Sequence, residues 1–126
     1  MLEIDFFVHI IEPYNVLFSL LTPHKRLHGE AKCHAGSPEA EWVNLQAGKM
    51  VSNDTRLGMI FTFHKPAPAP FEFRTAIKDH YRSNPPVQII PWGPTLIQEL
   101  LAGNSFLKLI QTQSNLAHAG TASMQL

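Results

Sequence analysis

The chain is short of several things, and each shortage excludes something. It has one cysteine, Cys33. A lone thiol closes no internal disulfide, which fits a reducing compartment and a cytoplasmic location. There is no excess of charge of either sign: Lys plus Arg and Asp plus Glu stand at ten each. No global field therefore draws the chain to polyanions or to an acidic membrane surface. Charged residues make up 16% of the sequence, low against a typical quarter, so its surface is rich in neutral groups that another copy or a partner would cover. Long hydrophobic runs are missing as well. Glu12, Pro13, Ser19 and Pro23 interrupt the apolar stretch, far short of the about 20 residues that a membrane span needs. No basic segment precedes an apolar run with a cleavage site, so no secretory signal is read, and Asn53-Asp54-Thr55 is a turn rather than a glycosylation acceptor. The seven glycines are scattered and none builds a phosphate-cradling loop.

What is there suffices for one core. Over 126 residues, 44% are hydrophobic, enough to fold without disulfide or metal staples. Residues 1–113 are expected to form a single globular domain. Residues 114–126, small and polar with little to bury, are expected to be a flexible tail.

The clearest pattern comes first. From Leu2 the chain alternates, with Leu2, Ile4, Phe6, Val8 and Ile10 on one face of a strand and Glu3, Asp5, Phe7, His9 and Ile11 on the other. The first set is expected to be buried and the carboxylates exposed, because a one-residue slip would bury Glu3 and Asp5 instead. Residues 14–21 are a short apolar segment read as helix. Thr22-Pro23 resembles a cap followed by a first-position proline, so a helical turn is expected to run towards Gly29, with a short strand or loop at 30–34.

Residues 38–47 allow two readings. Ser37-Pro38-Glu39 is a helix-start signal with Gly48 as a stop, whereas 42–51 also reads as a strand returning through Ser52-Asn53-Asp54-Thr55 to a strand at 57–64. We take the hairpin. Alternating Pro and Ala over 65–70 hold the chain extended. Phe73, Ile77 and Tyr81 then recur on one helical face until Asn84-Pro85-Pro86 ends that helix. Residues 87–90 are a short apolar strand. Pro91-Trp92-Gly93-Pro94 turns the chain into a C-terminal helix that is kinked or split at Gly103-Asn104. The expected class is α+β, an antiparallel sheet of about four to five strands packed against the mid-chain and C-terminal helices, with a small β-barrel and a C-terminal helix as the alternative.

Three groups of residues could carry chemistry. His24, His28, Cys33 and His34, with Glu30 as base or further ligand, are of the types that bind zinc. Their spacing matches no zinc signature, however, and Lys25, Arg26 and Lys32 add positive charge where a dication would sit. Glu3, Asp5 and His9 share the second face of the lead strand, where a carboxylate would orient an imidazole for acid–base work. A strand showing its polar side to water produces the same pattern. Arg74, Lys78, His80 and Arg82 form a basic helix edge with Phe73 and Tyr81 interleaved, suited to phosphates or RNA. Glu72 and Asp79 dilute it.

With no catalytic signature, the sequence points to a non-catalytic assembly or adaptor protein that self-associates and contacts an unknown protein partner. Neither membrane nor nucleic acid is expected as a partner, and no cofactor beyond a possible zinc ion. Eight large apolar residues fall between Leu96 and Ile110, more than one core-facing stripe needs, so Leu96, Leu100, Phe106, Leu109 and Ile110 are the candidate contact residues. The alternatives are a small zinc-binding protein or metal-dependent hydrolase built on the histidine cluster, and an RNA-binding module built on the 74–82 edge.

Overall fold

A computed structural model describes residues 2–9, 26–33, 36–63, 65–119 and 126. The elements run β1 (Leu2–His9), β2 (Arg26–Cys33), α1 (Ala40–Ser52), β3 (Leu57–Thr62), α2 (Phe71–Tyr81), β4 (Gln88–Trp92), α3 (Pro94–Leu101) and α4 (Phe106–Ala119). The four strands lie in the order β1-β2-β3-β4. β1 pairs antiparallel with β2, with Asp5 opposite Glu30 and Phe6 opposite Gly29. β2 and β3 are parallel, as are β3 and β4.

The class is therefore α+β, but the sheet is open and mixed rather than antiparallel, and it is not a barrel. The reason lies in residues 40–52. Trp42, Val43, Gln46, Ala47 and Met50 are buried at helical spacing, so this stretch packs as a helix, and the expected hairpin gives way to a β-α-β crossover. Gly48 does not stop the helix, which ends instead at Asn53 and at Asp54, whose φ is 53°. The stretch from Arg26 is likewise strand rather than a helical turn. The helix reading of 14–21 lies outside the described residues.

Each face of the sheet has its own core. Ile60 and Ile89 point to the side covered by α1 and α2, where they meet Trp42, Val43, Met50, Phe73 and Ile77. Leu27, Leu57, Met59, Ile90 and Trp92 point to the other side, against Leu96 of α3 and Leu109 and Ile110 of α4. The C-terminal stripe is split in two at Gly103, whose φ of +97° suits glycine alone. The α4 helix continues through Ala119, with Gln113, Ser114 and Ala117 buried, and Leu126 exchanges two backbone hydrogen bonds with Ala67.

The lead strand keeps its alternation but not the expected burial. Ile4 is 49% exposed, more than Asp5 at 41%. The reason is position: among the described residues β1 stands at the edge of the sheet, while α3 and α4 cover β3 and β4. Phe6 compensates by lying across Gly29, where an added Cβ would strike its ring. It heads an aromatic row through Phe61 and Trp92 to Phe106, with centroids 5.5–6.1 Å apart.

Candidate active site

Strand alternation puts His28, Glu30 and Lys32 on the α1 side of β2, and the register puts Asp5 directly across from Glu30. A core position there would normally be aliphatic, yet Glu30 is 0% and Lys32 1% exposed. Lys32 Nζ donates to Glu30 Oε1 at 3.3 Å. Lys49, three residues beyond the buried Gln46 on α1, reaches down to the same place. Its Nζ donates to Glu30 Oε1 at 2.9 Å and to Asp5 Oδ2 at 3.1 Å. Two carboxylates and two ammonium groups from β1, β2 and α1 thus meet in one cluster.

A second layer orients it. Gln46 Nε2 donates to the Met59 carbonyl at 3.0 Å and lies 3.2 Å from His28 Nδ1. An acceptor role for Nδ1 puts the imidazole proton on Nε2, which faces Asp5 Oδ1 at 3.7 Å. Gln46 Oε1 is buried without a hydrogen-bond partner among the described residues. Gly58 leaves room for this layer: a Cβ there would fall 2.7 Å from Met50 Sδ and 3.1 Å from Gln46 Nε2, so both side-chain ends would have to shift. At the rim, Phe7 packs on His28 with centroids 5.0 Å apart, and the Arg26 guanidinium sits 4.7 Å above the Phe7 ring. Asp5 and Lys49 are 41% and 40% exposed, so the cluster opens to solvent at the sheet edge.

A buried ion pair is weak evidence for stability, since apolar side chains of similar volume stabilise a core as well or better. Charged groups gathered in this way are more informative about chemistry. Among the described residues no three His, Cys, Asp or Glu groups gather as a metal site. What the cluster offers is two hard carboxylate donors. That set suits Mg²⁺ or Mn²⁺, which take one or two protein carboxylates and complete their shell with water and substrate phosphate.

Of the residues singled out in the sequence, His28, Glu30 and Asp5 belong to this cluster. His24 and His34 lie outside the described residues, as do the side chains of Cys33, Glu3 and His9. His28 sits on strand β2 rather than on a helical turn. In the sequence Lys32 reads as a charge opposing a metal, and nothing in the local pattern marks Lys49 or Gln46. The Glu30-Ala31-Lys32 spacing was a usable signal: opposite charges two apart in a strand share one face.

On α2, Arg74 donates to the Ala69 carbonyl and its guanidinium lies 5.6 Å from the Phe71 ring centroid. His80 lies 2.8 Å from Asn44 Oδ1. Burial lowers the His80 pKa below the usual histidine value, with Asp79 opposing. Of the candidate contact residues, Leu96, Leu109 and Ile110 are buried in the chain's own core, while Leu100 and Phe106 are exposed, as is Leu101. No protein-family model, curated protein or solved structure matches the chain.

Proposed function

We propose that the protein is a divalent-metal-dependent phosphodiester hydrolase acting on nucleic acid, with Asp5 and Glu30 as metal ligands and Lys32 as the charge-stabilising group. The observation that carries the reading is the Glu30–Lys32 pair, buried on a strand directly across from a solvent-facing aspartate. A bound Mg²⁺ would supply Lewis-acid polarisation of a phosphoryl oxygen and a water of lowered pKa. Water attacks phosphorus and loses a proton, the P–O ester bond breaks, and the leaving oxygen gains a proton, yielding a phosphomonoester and an alcohol. Lys32, held by Glu30, offsets negative charge as it builds on the phosphoryl oxygens. Arg26 and Phe7 at the open rim suit a phosphate and a base of an extended strand. Lys32 and Lys49 are paired with Glu30 and Asp5, which leaves Arg26 as the cation at the rim for an incoming phosphate.

The test is cleavage of plasmid DNA and single-stranded RNA with Mg²⁺ or Mn²⁺, with and without a chelator. Asp5→Asn should fold normally, its side chain being half exposed, and lose activity at least about a hundredfold, the scale of losing one transition-state contact. Cleavage that survives chelation or Asp5→Asn, or no cleavage of either polymer, would remove the reading.

A second reading, self-association, is favoured by Leu101, which is 81% exposed, with Leu100 and Phe106 also exposed at the ends of α3 and α4. It is compatible with hydrolysis.

A further inference from the structure

We infer that Lys49 is a tethered cation occupying the metal position between Asp5 and Glu30, and that a divalent ion must displace it to bind. The inference rests on the reading of this pair as a metal centre. Lys49 Nζ stands 3.1 Å from Asp5 Oδ2 and 2.9 Å from Glu30 Oε1, bridging oxygens from two neighbouring strands. A dication shared by the two carboxylates takes the same space. An ammonium and a dication at contact distance repel each other, so the two occupants exclude one another.

The two lysines of the cluster differ in their freedom to leave. Lys32 is buried within β2 beside Glu30, and moving its charge means carrying it through the core. Lys49 projects from α1 and is 40% exposed, so rotation about its four-carbon stem returns the ammonium to water. In the metal-free protein it also relieves repulsion between two carboxylates held face to face by the strand register. Apparent metal affinity is then the intrinsic affinity reduced by the fraction of time Lys49 is away. The lysine sets the ion concentration at which the centre loads.

Calorimetric titration of the full chain with Mn²⁺ tests this on wild type, Lys49→Met and Lys49→Arg. Lys49→Met should bind at least about tenfold more tightly. Lys49→Arg should bind more weakly than wild type, since a guanidinium holds paired carboxylates with several fixed donors. A purely structural role would move stability but not affinity in opposite directions. Equal or weaker binding by Lys49→Met overturns the inference and leaves the metal centre standing. Absence of binding in all three proteins overturns both. If Lys49→Met does not fold without metal, wild type against Lys49→Arg decides, and equal or tighter binding by Lys49→Arg overturns the inference.

Discussion

At the scale of residues, the cluster at Glu30 sets stability against function. Glu30 is fully buried and accepts from both Lys32 and Lys49. Glu30→Gln removes the charge that offsets a buried ammonium, a change that typically costs about 3–5 kcal/mol. Adding Lys32→Met removes that ammonium too, so the double variant should unfold at higher denaturant than Glu30→Gln alone while remaining inactive. Chemical denaturation of the two singles and the double measures the coupling. Additive losses would show that the two side chains do not act as a pair. Asp5 is different: its carboxylate is partly solvated, so its loss should register in activity rather than folding.

At the scale of elements, the contact between α2 and α4 is expected to respond to pH. Tyr81 of α2 stacks on His118 of α4 with centroids 3.6 Å apart and planes within 6°. Gln88 Nε2 donates to Ser114 Oγ at 2.7 Å, and Ser114 Oγ lies 3.4 Å from His118 Nε2, placed to donate to a neutral ring. Burial lowers the His118 pKa below the usual 6.5, and burial likewise lowers that of His80 near the end of α2. Folding therefore favours the neutral rings, and the unfolded chain binds more protons between the folded and unfolded pKa values. The stabilisation is complete above about 6.5, the unfolded histidine value, and is lost as the pH falls towards the folded one. The denaturation midpoint should drop between pH 7.5 and 5.5, and His118→Phe, which keeps a ring against Tyr81, should flatten that drop. An unchanged slope in His118→Phe would place the pH dependence elsewhere.

For the whole molecule, the described residues build two cores on opposite faces of one sheet, and Leu101 at the end of α3 is the most exposed of the large apolar side chains described. Leu101 points away from both cores. Leu101→Glu should leave the unfolding midpoint unchanged to within about 0.5 kcal/mol, the usual range for a surface substitution. In sedimentation it should shift any dimer of the wild type to monomer. Leu109→Glu should instead unfold the protein, because Leu109 is buried against the sheet. A wild type that sediments as a monomer at micromolar concentration would end the self-association reading.

Sequence alone determined the elements whose periodicity is strong. The alternation from Leu2 marks β1, the Phe73–Ile77 spacing marks α2, the apolar run after Arg56 marks β3, and the apolar stripe after Pro94 marks C-terminal helix with a break at Gly103-Asn104, though not whether it kinks or splits there. It also set Asp5 on the polar face of its strand. Tertiary structure decided the rest. Period fixes which face a side chain occupies, but not a strand's direction or its neighbour. Residues 42–51 satisfied both a helix and a strand pattern until packing against Ile60 and Phe73 selected the helix, and with it the parallel pairing of β2 and β3. The candidate site needed all of this at once. Asp5, Glu30 and Lys49 are far apart in the chain, and only the β1–β2 register and the return of α1 over the sheet bring their charges within 2.9–3.1 Å.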